Sequence, residues 1–361
     1  MKPPRRTLVV VPRRLGDVLL ATPVMRSLKR AFPECAIDVL VFTETAAMLA
    51  GNPDVRRVLT IADRPTAGEH LALAARIFRR YDLALSLVPG DRATVYAWLA
   101  GRHRIGLVID EAKHAWKKWL LGCWIPFDNR GTHTVIMHLR AIEALGIPPF
   151  PEIVFVPSST DTEAARTALA QHGVNSGYAV LHPFPKFRYK QWHDRGWAEV
   201  AAWLKQRGLL TVITGGSDAD ERTHCAALAA SIGAANLAGV LALPATAAMI
   251  ASAAAYVGPD TVTTHLAAAL GVPTVALFGP SDPLKWGPWP HRYTSLDNPW
   301  RHVGSQQRGN VQIVQGNALC TPCFLEGCDR HTGSAADCLT GLPARRVIEA
   351  LERQPDIPRA A

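Results

Sequence analysis

Apolar runs of strand length alternate with helical patterns along almost the whole chain, and this alternation restricts the fold more than any other feature. In the first part, the sequence predicts strands at 7–12, 37–42, 57–61, 83–87 and 104–107, and helices near 18–31, 43–50, 68–80, 92–100 and 133–145. Such an order is typical of a parallel sheet covered by helices on both faces. The predicted fold class is therefore α/β.

A proline-rich segment interrupts this pattern and predicts a boundary between two domains. The stretch "LGIPPFPEIVFVPSS" at 145–159 contains four prolines, and such a cluster is typical of a connection. A second series follows, with helices at 161–172, 194–207, 218–232, 244–253, 262–270 and near 343–353, and strands at 178–182, 209–214, 254–257 and 273–277. A chain of 361 residues exceeds the usual size of one core.

We therefore expect an N-terminal Rossmann-like domain at 1–155, a C-terminal Rossmann-like domain at 156–340, and a helix within 341–361 that packs back on the first domain. Two such domains in tandem predict a cleft between them. Ligands of open parallel sheets lie beyond the carboxyl ends of the strands, so the loops leaving those ends are the candidate sites.

Charge divides unevenly between the two halves. The net charge of +9 lies entirely in residues 1–150, whereas residues 151–361 are neutral. Such a balance favours an anionic partner, either a nucleic acid, a phosphorylated ligand or an anionic membrane, although a solvated basic face is the plain alternative. The start "MKPPRRTLVVVP" does not match a signal peptide, and the uncharged stretch 237–259 is broken by Gly239 and Pro244. We expect a cytoplasmic protein without a transmembrane helix.

Gly16 and Asp17 follow the first predicted strand and open the first predicted helix. A carboxylate at a helix start can be an N-cap, and that interpretation accounts for Asp17 without any function. The same position faces the predicted cleft, where a carboxylate can also act as a base.

Three strand ends in the second half carry polar groups. "LHPFPKFRYKQW" at 181–192 contains Lys186, Arg188 and Lys190, "VITGGSDADE" at 212–221 contains Gly215 and Gly216, and "VGPDTVTTHLAAALGVP" at 257–273 contains Asp260, three threonines and His265. Glycines and helix N-termini bind phosphate, and lysines add charge. The combination predicts a site for an anionic ligand such as a nucleotide. Taken singly, the lysines read as surface charge, the glycines as a turn and His265 as a core residue.

In this order and over residues 7–352, these segments resemble the family 9 glycosyltransferases, the bacterial heptosyltransferases of the lipopolysaccharide inner core. The segments are "RRLGDVLLATPVMRSLKRAFP", "GNPDVRRVL", Lys190-Gln191-Trp192, "GPDTVTTHLAAALGVPTVALFGPSDPLKWGPW" and "CTPCFLEGC". The resemblance implies a GT-B fold and an inverting transfer without a metal. It also implies a lipid-linked oligosaccharide acceptor on the first domain and ADP-L-glycero-D-manno-heptose on the second.

The resemblance also implies residue roles. Asp17, after Gly16, becomes the candidate general base, and Lys190 the candidate partner of the donor phosphates. Glu221 is the best match for the glutamate that reads the nucleoside after Gly215-Gly216, with Asp220 close behind. The family motif Asp-Thr-Gly-x-x-His corresponds to Asp260, Thr261, Val262, Thr263, Thr264 and His265.

Val262 departs from that motif, because glycine is usual there, and this puts a close backbone approach to the phosphates in doubt. Sequences of the subgroup that includes the branch-adding heptosyltransferase III also lack this glycine and share the segment "WGPW" at 286–289, so the chain resembles that subgroup. The resemblance also implies that the basic first half binds an anionic membrane surface, at the cytoplasmic face of the inner membrane. The candidate docking residues are Arg13, Arg14, Arg56, Arg57, Arg102 and Arg104.

Four cysteines cluster near the C-terminus, at Cys320, Cys323, Cys328 and Cys338. Their spacing is compatible with a structural zinc or iron site, and reduced thiols packing a loop are the alternative. Two other functions stay open on the sequence alone: a GT-B transferase with another nucleotide sugar, and a non-catalytic module that binds nucleotide or lipopolysaccharide. A nucleic-acid partner is not expected, because no helix concentrates residues that read bases.

Overall fold

The computed structural model describes residues 2–354 and 357 and divides them into two compact units. Unit 1 contains residues 2–156 and 293–298, and unit 2 contains the remaining described residues. No helix in these residues has the length and apolar character needed to cross a bilayer.

Unit 1 is a six-stranded parallel sheet with helices packed around it. Its strands are β1 Arg6–Val10, β2 Ala36–Phe42, β3 Arg57–Ile61, β4 Tyr81–Ser86, β5 Gly101–Val108 and β6 Cys123–Pro126. Its helices are α1 Leu15–Leu20, α2 Thr22–Ala31, α3 Ala67–Ile77, α4 Asp91–Ala100, α5 Ala115–Leu120 and α6 Thr134–Glu143, with 3₁₀ turns at Thr43–Leu49 and Ala112–His114. The strand order β3-β2-β1-β4-β5-β6 is that of a Rossmann fold. Leu8, Val9, Leu83 and Leu85 are fully buried in this sheet.

Unit 2 is a seven-stranded sheet whose order is β12-β13-β11-β10-β7-β8-β9. Its strands are β7 Tyr178–Leu181, β8 Leu210–Ile213, β9 Ala235–Asn236, β10 Ala255–Pro259, β11 Thr274–Phe278, β12 Gln306–Arg308 and β13 Val311–Gln315, of which β12 alone among these is antiparallel to its neighbour. Its helices are α7 Ser159–Gln171, α8 Asp194–Gln206, α9 Ala219–Ile232, α10 Leu243–Ala251, α11 Val262–Ala269, α12 Pro283–Trp286, α13 Asp337–Thr340 and α14 Ala344–Glu352, with a 3₁₀ turn at Arg188–Lys190.

The predicted α/β class is confirmed, and the differences from the sequence patterns are local. The helix predicted over 18–31 is two helices, because Pro23 lacks the amide hydrogen that would continue α1 and instead lies in the first turn of α2. The predicted helix at 43–50 is a 3₁₀ turn. The sequence patterns predicted no strand at β6, β9, β12 or β13. Strand β6 is a half-buried edge strand, β9 and β12 are only two and three residues long, and β13 buries Gln312 and Gln315 where apolar residues are usual.

The predicted C-terminal helix forms as α14. Its apolar face, which includes Val347, Ala350 and Leu351, is buried in the same core of unit 2 as Trp197 and Trp203. The helix therefore belongs to unit 2, and its packing against the first domain stays a prediction.

Candidate functional site

Each sheet has a point where the chain reverses its direction of strand addition, and three of the predicted site residues, Asp17, Lys190 and Asp260, follow strands that flank these points. In unit 1 the reversal falls between β1 and β4, and in unit 2 between β7 and β10. Ligands of doubly wound sheets bind outside the carboxyl ends of the strands at such points. Asp17 follows β1, Lys190 follows β7 and Asp260 follows β10.

Asp17 lies in the first turn of α1 and is half-buried. Arg14 is the N-cap residue of this helix, so the interpretation of Asp17 as the N-cap is wrong. Four residues, 11–14, separate β1 from α1, and this short loop holds Gly16 and Asp17 at the carboxyl edge of the sheet. The positive end of the helix dipole favours an ionised carboxylate in this turn.

Lys190 and Asp260 form the central ion pair of unit 2. The Lys190 Nζ donates to the Asp260 Oδ2 at 2.5 Å and to the Asp260 carbonyl at 3.1 Å. The side chains are 19% and 8% exposed. Burial by itself raises the pKa of the Asp260 carboxyl, but the Lys190 ammonium and His265 outweigh burial and hold this pKa well below its usual range. Asp260 is therefore ionised, and it forms an ion pair with the Lys190 ammonium.

Packing behind the loop fixes the position of Lys190. The Trp192 indole is buried, donates from Nε1 to the Leu342 carbonyl at 2.8 Å, and packs edge-on against Trp197. Gly196 is required in this contact, since a Cβ there would lie 2.3 Å from the Trp192 ring. Lys190 and Trp192 therefore have different roles: Trp192 anchors the loop in the core, and Lys190 extends into the candidate site.

Four hydroxyl groups form a closed ring at the start of α11. The Tyr256 hydroxyl lies 2.8 Å from that of Thr263 and 3.1 Å from that of Thr264, and the Thr261 hydroxyl lies 2.9 Å and 3.3 Å from the same two. Thr264 also donates to the Pro259 carbonyl. Burial raises the pKa of Tyr256 to about 12, so its hydroxyl keeps its proton. The ring was missed in the sequence, where Tyr256 reads as a strand residue.

Val262 and His265 complete this segment. Val262 is the first residue of α11 and does not have a positive φ, so the backbone conformation here does not require the usual glycine. His265 is buried, with its Nε2 3.7 Å from the Asp260 Oδ1. Within the described part of the chain, its Nδ1 is buried without a hydrogen-bond partner.

Gly215 and Gly216 form the turn after β8, and Glu221 lies over them. The Glu221 Oε1 accepts a hydrogen bond of 2.6 Å from the Gly216 amide. A Cβ on either glycine would lie 2.9 Å from a carboxylate oxygen of Glu221. Burial and nearby Asp218 raise the pKa of Glu221 above its usual range, and the Gly216 amide opposes them. Asp220 is exposed and donates its amide to Asp218, the N-cap of α9.

His182 was also missed in the sequence. It follows β7 directly, is 7% exposed, and donates from Nδ1 to the Thr214 carbonyl at 3.1 Å. Burial lowers its pKa to about 4, so the ring is neutral at physiological pH. The available signal was a histidine followed by proline at the end of an apolar strand.

The structure does not confirm the predicted metal site. Among residues 2–354 and 357, no group of three or more His, Cys, Asp or Glu side chains is placed to hold a metal ion. The four clustered cysteines are all free thiols, and they differ in exposure, because Cys320 and Cys328 are exposed, Cys323 is half-buried and Cys338 is buried. The structural zinc or iron site at these cysteines therefore stays a prediction.

Two Rossmann-type units with polar groups at their strand reversals are typical of the GT-B glycosyltransferase fold, and solved structures of that class superpose on this chain. The family model of glycosyltransferase family 9 (heptosyltransferase) matches residues 71–312. The chain belongs to this family and is a glycosyltransferase.

Relatives and solved structures agree with this assignment. The chain is 29% identical to lipopolysaccharide heptosyltransferase 3 of Escherichia coli K12, over 76% of this chain and 82% of the relative. It is 30% identical to lipopolysaccharide heptosyltransferase 1 of Pseudomonas aeruginosa, over 90% and 87%. The structure of E. coli ADP-heptose lipopolysaccharide heptosyltransferase II superposes with a TM-score of 0.72 at 21% identity, over 96% and 97%. These comparisons confirm the expected family and the GT-B fold.

Proposed function

We propose that this chain transfers a heptose from ADP-L-glycero-D-manno-heptose to a lipid-linked inner-core saccharide of lipopolysaccharide. Both relatives described above carry heptosyltransferase names, and the name of the superposed structure includes ADP-heptose. The observation that carries the proposal is the mostly buried Lys190–Asp260 pair at the strand reversal of unit 2, since it puts an ammonium group where a diphosphate would bind.

In the proposed step, Asp17 takes the proton from the acceptor hydroxyl while that oxygen attacks the anomeric carbon. The bond from the anomeric carbon to the diphosphate breaks, ADP departs with the electron pair, and the configuration inverts. Negative charge grows on the leaving group in the transition state. Lys190 and the first amides of α11 then stabilise the transition state more than the ground state.

The nucleoside is assigned to the turn after β8. Glu221 would accept from the ribose hydroxyls, with Gly215 and Gly216 allowing the nucleoside to lie close to the backbone. Thr261, Val262, Thr263, Thr264 and His265 would surround the diphosphate at the start of α11, and Gly16 would leave room for the acceptor beside Asp17. We further propose that the enzyme works as a peripheral protein at the cytoplasmic face of an anionic inner membrane.

Intact mass spectrometry tests the reaction. Purified protein is incubated with ADP-heptose and a series of heptose-truncated core saccharides, and a gain of one heptose on one acceptor is expected. The Asp17→Asn variant should lose this gain. Asp63→Asn should keep it, because Asp63 lies past β3 at the same edge and is exposed, in an ion pair with Arg92.

Two results contradict the proposal. A transfer that proceeds with UDP-sugars but not with ADP-heptose assigns another donor. ADP-heptose binding without transfer to any acceptor assigns a binding module.

A further inference from the structure

The strand starts of unit 1 carry a row of arginines. In a parallel sheet all amino ends lie at one edge, and the register pairs Arg6 with Ala36, Asp38 with Arg57, and Tyr81 with Gly101. We call the following exposed residues at or beside these strand starts the arginine edge: Arg5, Arg6, Arg57, Arg79, Arg80 and Arg102. The row runs from β3 to β5, which is four strand spacings or about 19 Å.

Glu34 and Asp82 also lie near these strand starts, but the arginine edge is not paired with either of them in the part of the chain that the structure describes. Within the described ranges, none of its six guanidinium groups forms an ion pair. Arg56 shows the contrast, since it is bound to buried Asp38 at 2.6 and 2.9 Å. Asp82 at this edge accepts from the backbone amides of Arg5 and Arg6, at 2.9 and 3.1 Å.

Helix dipoles explain only part of this charge. The helices of unit 1 that follow strands run back to the amino edge, so their negative ends lie there, and basic residues in the last turn stabilise them. Those last-turn positions are already basic, at Lys29 and Arg30 in α2 and Arg76 in α3. The six residues of the arginine edge lie outside these last turns, so stabilisation of the helix ends does not account for their charge.

An aromatic side chain projects among these arginines. Phe78 is the C-cap residue of α3, is 57% exposed, and is followed by Arg79 with a φ of 52° and then by Arg80. A non-glycine residue in the left-handed region is strained, so this turn is held by its surroundings. An exposed aromatic flanked by arginines suits a bilayer interface, where the ring enters the headgroup region and guanidinium groups bind lipid phosphates.

We propose that the arginine edge, with Phe78, docks unit 1 on an anionic lipid bilayer. The inference rests on the proposed function, in which the acceptor is held in such a bilayer. It also sets a distance. Asp17 lies at the carboxyl edge of the same sheet, and the six residues of β4 span about 20 Å. The acceptor hydroxyl then stands about 20 Å from the lipid surface, which suits a saccharide that already carries several sugars.

Vesicle sedimentation tests the docking surface. Full-length protein should bind phosphatidylcholine vesicles only when they contain phosphatidylglycerol, and binding should fall with salt. The triple variant Arg57→Gln, Arg80→Gln and Arg102→Gln should bind roughly 100-fold more weakly, at about fivefold per arginine. A matched control removes three exposed arginines of unit 2, through Arg301→Gln, Arg308→Gln and Arg353→Gln, and should bind within about twofold of wild type.

Transfer assays separate docking from saccharide recognition. The arginine-edge variant should lose transfer to an acceptor held in anionic vesicles and keep transfer to the same saccharide freed of lipid. Equal loss in both assays or equal loss in the control variant would overturn the inference. Trp119 on α5 is 91% exposed and is the rival docking residue of unit 1, so loss of vesicle binding in Trp119→Ser but not in the arginine-edge variant would also overturn it. So would binding to RNA without binding to vesicles. If wild type transfers heptose neither to the lipid-linked acceptor nor to the free saccharide, the proposed function fails, whereas the vesicle-binding result still decides the docking surface.

Discussion

The Lys190–Asp260 pair makes a quantitative prediction about unit 2. The ammonium lies 2.5 Å from a carboxylate oxygen, and both side chains are mostly buried. Removing one partner leaves the other charge desolvated, which costs about 3 kcal/mol once the partial exposure of Lys190 is allowed for. For a unit of about 150–250 residues this lowers the melting temperature by about 6–12 °C. We expect this loss for Asp260→Asn and for Lys190→Met, each without ligand.

The double variant distinguishes a coupled pair from two independent effects. Replacing both partners removes the unpaired charge, so its cost should be near that of one single variant and well below the sum. Tryptophan fluorescence is a suitable probe, because Trp192, Trp197 and Trp203 lie in the core of unit 2. Glu199→Gln breaks the exposed Arg195–Glu199 pair and serves as a control, with an expected change within about 1 °C.

The pH dependence of this cost follows from the direction of the pKa shift. The pKa of Asp260 in the folded state lies below its usual value of 3.8. The contribution of the ionised carboxylate to the free energy of unfolding is therefore complete above about pH 4 and is lost as the pH falls through the folded-state pKa. The gap between wild type and Asp260→Asn should therefore narrow under acid. A gap below 1 °C at neutral pH, or strictly additive single variants, would refute this account of the pair.

Three further outcomes are expected. Asp17→Asn should lower turnover by about 10²–10⁴-fold with an unchanged melting temperature, and a variant with near-normal turnover in a quenched assay would remove Asp17 as the base. Glu221→Gln should raise the melting temperature at high pH but not at low pH, because the raised pKa of Glu221 means that its ionised form is disfavoured on folding. Isothermal titration should show that this variant binds ADP more weakly, and an affinity equal to that of wild type would contradict the role of Glu221 in nucleoside binding. The His182 imidazole has a pKa of about 4, so its NMR chemical shifts should stay constant from about pH 6 to pH 8, and a titration midpoint near pH 6.5 would contradict the effect of burial. The stability of the folded protein should fall as acid protonates this histidine in the unfolded chain.

The sequence predicted the parallel sheets and placed the candidate site residues in loops after strands, because both depend on local patterns. Strand and helix periods are visible within short windows, and Asp17, Lys190 and Asp260 all follow apolar strands. Contacts between distant segments were not accessible in this way. The bond from Trp192 to Leu342 joins residues 150 positions apart, and no local pattern encodes it.

The cysteines and β13 show the limits of spacing and composition. Cys320 to Cys338 have a ligand-like spacing, but ligand geometry depends on how the loop folds, and the thiols differ widely in exposure. Strand β13 was missed because buried Gln312 and Gln315 interrupt its apolar pattern. The burial of Gln315 depends on a tertiary partner, since its side-chain amide donates to the His302 carbonyl at 2.9 Å.

The hydroxyl ring at the start of α11 limits which groups can hold a phosphate. Four contacts link its four hydroxyls, but Thr264 gives its proton to the Pro259 carbonyl, and the Thr261 hydroxyl also donates toward this carbonyl at 3.4 Å. At most three protons, those of Tyr256, Thr261 and Thr263, are left for four contacts, since each hydroxyl donates once. The ring therefore has fewer protons than contacts and has no donor to spare for a phosphate oxygen. Recognition of a diphosphate at this helix start falls to backbone amides and to Lys190, and a threonine that joins in must first leave the ring.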